Sequence, residues 1–287
     1  MTVDDVKDFA ERVKKFYYCR ADLCEKLING KVSIERDDID MMPPLDYNPF
    51  RNLYVDSYVV GCTALDGLSY IYQVLNSPQK ANITHQEQFV SFLLHPNIQQ
   101  DLERVSTPFV NYFLEKEGIE EPFRQEIKNI WINNKGDRLP GESHRVYCDP
   151  KIDEIKVVYE DCHKHNSIPP EMTLKNIEKT LKKFTYAALI YKFYRCPFVH
   201  EFRASDYTAS FNKGKQISVR EFGGYMLPSG KFIQLYEVKP QLDVGIGVLT
   251  DSIRKGASIV HALILQTQCT NIPYNFTDQI KLEKKAK

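Results

Sequence analysis

Residues 173–207 read TLKNIEKTLKKFTYAALIYKFYRCPFVHEFRASDY. Leu174, Ile177, Leu181, Phe184, Ala188 and Tyr191 recur at intervals of three and four, with Ala187, Ile190 and Tyr194 beside them. That spacing predicts one strong amphipathic helix over 173–194. It runs directly into Arg195, Pro197, His200 and Glu201. A guanidinium is permanently charged and forks onto phosphate oxygens, and an imidazole titrates near neutrality and passes a proton. On a straight helix the two side chains would stand about 140° apart. Pro197 alters that geometry, because it either breaks the ladder of the preceding helix or opens a new first turn. A kink there would turn Arg195 and His200 toward one cleft. The plainer alternative makes Arg195 a cation near a helix C-terminus and His200 a structural hydrogen-bonding group.

Working outward, Val3, Val6, Ala10, Val13, Phe16 or Tyr17, Leu23 and Leu27 predict a helix over 3–28, ended by Asn29-Gly30. Residues 32–50 carry Pro43, Pro44 and Pro49 and read as a wrapping loop. A second helix is expected from about Leu53, with Val59, Val60, Ala64, Leu68, Ile71, Tyr72 and Leu75 on a broad apolar face. Thr84-His-Gln-Glu87 has the form of a capping box. Helices are expected at roughly 98–116, 122–133 and 151–163. The Gly/Pro-containing stretch 133–144 is the best internal break. After residue 207 the period changes to two: ISVREFGGYML and KFIQLYEVK flank Pro228-Ser-Gly230 and predict a β-hairpin near 216–239. Pro240 is then expected to start a last helix reaching about Gln268. The class is mainly α, with one late hairpin. The division expected is an N-terminal helix and loop over 1–50, followed by a helical domain over 51–287.

The 287 residues balance 38 basic against 38 acidic groups, so no global charge announces nucleic acid or an anionic membrane. Hydrophobic content of 43% and aromatic content of 12% suit a globular chain. The mixed-charge N-terminus has no apolar core of a secretory signal, and no apolar run approaches membrane-spanning length. Seven scattered cysteines with no CxxC pair suggest reduced thiols in a cytoplasmic protein.

The pattern LIYKFYRCPFVHE (189–201), with an arginine followed by a histidine at the end of a long apolar helix, resembles the HEPN superfamily. The earlier YVVGCTALDGLSYIYQ (58–73) resembles the small-residue-rich opening helix of such bundles. The resemblance covers roughly 53–268, with the hairpin as an insertion. Many members are metal-independent ribonucleases. The resemblance therefore implies a HEPN-like helical bundle in which His200 assists proton transfer from a 2′-hydroxyl and Arg195 stabilises charge on the phosphorane-like transition state. It also implies a homodimer acting on RNA without a cofactor, and a role as toxin or defence effector with an antitoxin or other regulatory protein as partner. Cys196 stands where the family commonly carries a polar Asn, Asp or His. Other branches are non-catalytic and bind nucleotide, RNA or protein. Glu201, Arg203, Asp206 and Tyr207 follow the motif, and Glu201, Arg203 and Tyr207 are the candidate binding residues. The alternative for each is a polar loop after a helix.

Two other chemistries have some of the residue types they need. Glu237-Val-Lys239 at a strand end, with Glu221 on the preceding strand, has those of a metal-dependent PD-(D/E)XK-like nuclease. One hairpin is a poor match for the central sheet that such a site needs. Cys148, Cys162, His163 and His165 are zinc-ligand types, but adjacent Cys162 and His163 would point apart. Asp251, Arg254 and Lys255 read most simply as a solvated cluster on the last helix. No GxGxxG, P-loop or GxSxG is present, and Gly245-Ile-Gly247 lacks a third glycine.

Overall fold

A computed structural model describes residues 2–33, 50–76, 83–117, 125–126, 144–165, 172–201, 204–209, 212–226 and 232–267. Most of it is helical. Helix α1 (Val3–Leu27) opens with a capping box, in which Thr2 accepts from the Asp5 amide and Asp5 accepts from the Thr2 amide. Its buried edge is Val6, Phe9, Ala10, Val13, Tyr17, Ala21 and Cys24. Of the expected apolar set Val6, Ala10, Val13 and Tyr17 lie on it, whereas Val3 is exposed and Leu23 and Leu27 are only half-buried, because Ala21 and Cys24 carry the edge in the second half. A short ladder pairs β1 (Lys31–Ser33) with β2 (Phe50–Asn52) and returns the chain to α2 (Tyr54–Asn76).

Helix α2 is the central rod. Tyr58, Cys62, Leu65 and Leu68 are fully enclosed, because α1 covers one side and the last helix another. The Cys24 and Cys62 thiols are buried in this core, and burial pushes the Cys24 thiol up to about 12 and the Cys62 thiol higher still. Helix α3 (His85–Leu93) begins at the expected capping box, with Thr84 Oγ1 accepting from the Glu87 amide and Glu87 accepting from the Thr84 amide.

The expected helix over 98–116 is divided. A 3₁₀ turn (Gln100–Glu103) is followed by an extended step at 104–106 and then by α4 (Thr107–Glu117). Pro108 falls in the first turn of α4, where its missing amide costs nothing. The expected helix at 122–133 and the break at 133–144 lie almost wholly outside the described residues. Strand β3 (His144–Arg145) and a 3₁₀ turn (Val146–Cys148) lead into α5 (Ile152–Lys164).

The single helix expected over 173–194 is in fact two. Helix α6 (Leu174–Lys182) stops, and α7 (Tyr186–Ile190) starts again from Thr185, whose hydroxyl accepts from the Ala188 amide at 3.3 Å. The extended step at 104–106 causes the break. Ser106 N donates to Phe184 O and Tyr186 N donates to Arg104 O, so these residues pair like strands. Helical periodicity is blind to that partner, because it lies about 80 residues away in the chain.

Strands β4 (Ile217–Met226) and β5 (Phe232–Val244) form the late hairpin, and β3 adds to β4, giving the antiparallel order β3-β4-β5. The turn at Pro228-Ser-Gly230 lies outside the described residues. The last helix does not start at Pro240. That residue is buried in β5 opposite Glu221, and α9 begins only at Ile246 and runs to Thr267. Proline is tolerated because β5 closes this sheet as an outer strand, where a missing ladder donor costs least. Gly245 supplies the joint: a Cβ there would lie 2.1 Å from Gly214 O, so the loop at 212–214 can cross it only if the residue is glycine. Across the bundle α1 packs along α9. Arg254 forks onto Glu25 (2.7 Å) and Asp22 (2.8 Å), which makes it an interhelical clamp rather than a solvated cluster. Among the described residues no helix is long and apolar enough to cross a membrane.

Candidate functional site

Between Tyr191 and Arg195 the backbone makes one π-helical turn, in which the Cys196 amide donates to Tyr191 O. Helix α8 (Cys196–Glu201) follows without a gap, so Pro197 produces no new cleft by itself. Its missing amide leaves a carbonyl of the preceding turn without a helical donor. Thr208 Oγ1 donates to Phe193 O, four residues before Pro197, at 3.1 Å and replaces it. The extra residue in the widened turn and a side-chain substitute for the lost bond let the helix pass through a proline.

The turn also sets what each side chain meets. Tyr194 is fully buried, and its hydroxyl donates to Leu242 O and accepts from the Val244 amide, both at 2.9 Å. Phe198 stacks on Tyr58, and the Tyr58 hydroxyl donates to Val244 O. Arg195 is thereby turned toward α2. Its Nη2 donates to Asp66 Oδ2 at 2.8 Å, and its guanidinium lies 5.3 Å from the centre of the Tyr191 ring. Its Nη1 donates to His200 Nε2 at 2.8 Å. A guanidinium has only donors, so Nε2 accepts and the ring proton of a neutral His200 sits on Nδ1. Despite their unfavourable helical angle, the long arginine side chain brings the two motif residues into contact.

Exposure differs sharply within this group. Arg195 is 8% exposed, Tyr191 and Cys196 are half-buried, and His200 stands in solvent. Burial works against the guanidinium's charge. The Asp66 hydrogen bond and the Asp66 charge outweigh it, so Arg195 is held above its ordinary range and stays a cation. Burial likewise raises the Tyr191 phenol. Among the described residues Arg195 Nε is enclosed without a hydrogen-bond partner.

Asp66 and Tyr191 are members of this group that the spacing of the motif does not announce. Asp66 had a signal of its own: it is the sole charged residue between Asp56 and Lys80, set in an apolar helix. A carboxylate in such a place needs a cationic partner. Of the candidate binding residues, Glu201 is exposed at the end of α8 and Arg203 lies outside the described residues. Tyr207 stacks on Phe193 (4.9 Å) and meets Phe113 at a tilt (5.6 Å). Asp206 is exposed, and its carbonyl accepts from the Gln241 side chain.

The remaining candidates are dispersed. Lys239 pairs with Phe222 in the ladder and Glu221 with Pro240, whereas Glu237 falls in the irregular stretch of β5 between Lys239 and Gln234. His163 stacks on Tyr159 at 5.8 Å. Among the described residues no three His, Cys, Asp or Glu side chains converge as a metal site. No protein-family model, curated protein or solved structure matches the chain.

Proposed function

We propose that this chain is a metal-independent endoribonuclease of HEPN type, with His200 as the proton-transfer group and Arg195 as the electrostatic stabiliser. The observation that carries the reading is the 2.8 Å contact between the Arg195 guanidinium and Nε2 of an exposed His200, with Asp66 holding the other edge of the same guanidinium. Nε2 is then an unprotonated acceptor on an exposed ring, occupied by a fixed positive charge. An RNA phosphate arriving there exchanges places with the imidazole on Nη1. His200 takes the 2′-hydroxyl proton as the 2′-oxygen bonds to phosphorus. The bond from phosphorus to the 5′-oxygen breaks, and the leaving oxygen takes a proton from the imidazolium or from water. The products are a 2′,3′-cyclic phosphate and a free 5′-hydroxyl. A preorganised cation placed where negative charge develops lowers the barrier of such a reaction more than any other single device.

The enclosure of Arg195 and its pairing with Asp66 favour a second reading, in which the same fold is a non-catalytic module that binds nucleotide, RNA or a protein partner. Incubation with single-stranded RNA in EDTA separates the two. The first reading expects cleavage that falls at least about a hundredfold in His200→Ala and in Arg195→Ala, with unchanged circular dichroism. No cleavage by the wild-type protein refutes it and leaves the binding module. Cleavage that requires Mg2+ and is lost in Glu237→Gln would instead support the metal-dependent alternative. A homodimer, an antitoxin or other regulator, a toxin or defence role and a cytoplasmic setting belong to the first reading as corollaries.

A further inference from the structure

Helix α2 turns one face to solvent, on which Val59, Thr63, Asp66, Tyr70 and Gln73 recur at alternating steps of four and three. Tyr70 is 46% exposed in the middle of that face. Residues four apart on a helix are neighbours, so Tyr70 stands beside Asp66, the carboxylate that holds the Arg195 guanidinium at 2.8 Å. Helical side chains lean toward the N-terminus of their own helix, which carries the Tyr70 ring back over the turn of Asp66. Among the described residues three aromatic side chains are largely exposed: Phe16, Tyr70 and Tyr147. The Phe16 ring is covered by the Arg20 guanidinium at 4.7 Å and meets Tyr17 edge-on at 5.2 Å. Tyr147 has contacts of its own. Tyr70 takes no hydrogen bond, ion pair or ring contact among the described residues. Its ring therefore adds little to the fold and offers an open face one helical turn from the Arg195–His200 contact.

We propose that Tyr70 is the stacking platform for the unpaired base of a nucleotide whose phosphate docks at Arg195 and His200. The position of that phosphate rests on the ribonuclease reading above, and the platform adds the substrate class, single-stranded RNA. Four residues of helix advance about 6 Å, and a base stands one sugar away from its phosphate, so a single nucleotide bridges the two positions. The charges agree with this order. The phosphate meets Nη1 on the His200 side, and the neutral base lies on the Asp66 side, so two anions are not driven together. An open ring beside a cation is the combination that holds single strands. A base inside a duplex is already stacked on its neighbours and cannot reach the ring. The platform therefore selects unpaired RNA.

The test measures binding of a fluorescein-labelled 12-mer by anisotropy, using 2′-O-methyl RNA that cannot be cut by 2′-oxygen attack, alongside cleavage of the unmodified strand. Tyr70→Leu keeps apolar bulk and removes the π face, whereas Tyr70→Phe keeps the face; both alter an exposed side chain and leave the fold intact. Tyr70→Leu is expected to weaken binding about tenfold and to raise KM by about the same factor with little change in kcat. Tyr70→Phe should stay within about twofold of the wild type. Tyr147→Leu removes an exposed ring elsewhere and should bind as the wild type does. That pattern together with cleavage by the wild type supports both inferences. The same binding pattern without cleavage upholds the platform and removes the ribonuclease. Cleavage with binding and KM unchanged in Tyr70→Leu overturns the platform alone. Equal losses in Tyr70→Phe and Tyr70→Leu, or in Tyr147→Leu and Tyr70→Leu, overturn it as well. So does a wild type that binds no single strand or binds duplex equally.

Discussion

Replacing Asp66 by alanine tests whether the carboxylate organises the candidate site. The Arg195 side chain is 10% exposed and that of Asp66 is 30% exposed, so the pair lies between the surface and buried limits. Surface pairs contribute at most about 1 kcal/mol, and removing one member of a buried pair costs about 3–5 kcal/mol. The asymmetry of exposure decides which side suffers more. Asp66→Ala leaves an enclosed guanidinium with Nε and Nη2 both unpartnered and should cost about 2–3 kcal/mol. Arg195→Met fills the same space and leaves a carboxylate that water can reach, so it should cost about 1–2 kcal/mol. The double variant lacks both charges, and the coupling energy from the cycle should be about 1.5–2 kcal/mol. Urea unfolding of the four proteins measures it. A coupling below about 0.5 kcal/mol, or Arg195→Met costing more than Asp66→Ala, would refute the reasoning, because the pair would then be an incidental surface contact.

Thr208→Val should cost about 1–2 kcal/mol, because it removes the donor that replaces the missing Pro197 amide at Phe193 O. In a Pro197→Ala background, where the backbone regains a donor, the same change should cost under about 0.5 kcal/mol; equal costs in both backgrounds would count against that account. The Glu25 carboxyl is held below its ordinary value of 4.5, chiefly by the Arg254 hydrogen bond. As pH falls, the unfolded chain takes up that proton first, so the stabilisation is complete well above pH 4.5 and is lost as pH falls through and below it. Denaturation midpoints between about pH 6 and pH 3.5 should fall less steeply in Arg254→Met than in the wild type, and parallel curves would contradict this.

The legible parts of the sequence were those decided locally. The span of α1, the Thr84 capping box and the pairing of β4 with β5 each depend on residues a few positions apart, and each forms about where the pattern places it, although β5 runs on to Val244. The parts that were not legible depend on distant neighbours. Phe184 and Thr185 continue a helical period, yet Arg104 and Ser106 pull them into a bridge. Pro240 has the sequence context of a helix start, and only its place in the outer strand β5 explains its position. Arg195 and His200 were visible as a pair of residue types. Their contact was not, because it needs the π turn and the grip of Asp66, and neither is written in the spacing of the motif.

The Tyr194 hydroxyl ties the residue next to Arg195 to two backbone groups at the junction of β5 and α9. The carbonyl of Leu242 and the amide of Val244 hold the Tyr194 ring from both sides, and that fixed ring sets where the next residue's guanidinium meets Asp66. The end of β5 thus fixes the residue beside Arg195, although the strand contributes no side chain to the Arg195–Asp66–His200 group among the described residues. The outer side of β5 at Leu242 is held in turn by the 207–209 segment, whose Ala209 amide donates to Leu242 O and whose Tyr207 carbonyl accepts from the Leu242 amide, so the same peptide group anchors both Tyr194 and the chain that follows the motif.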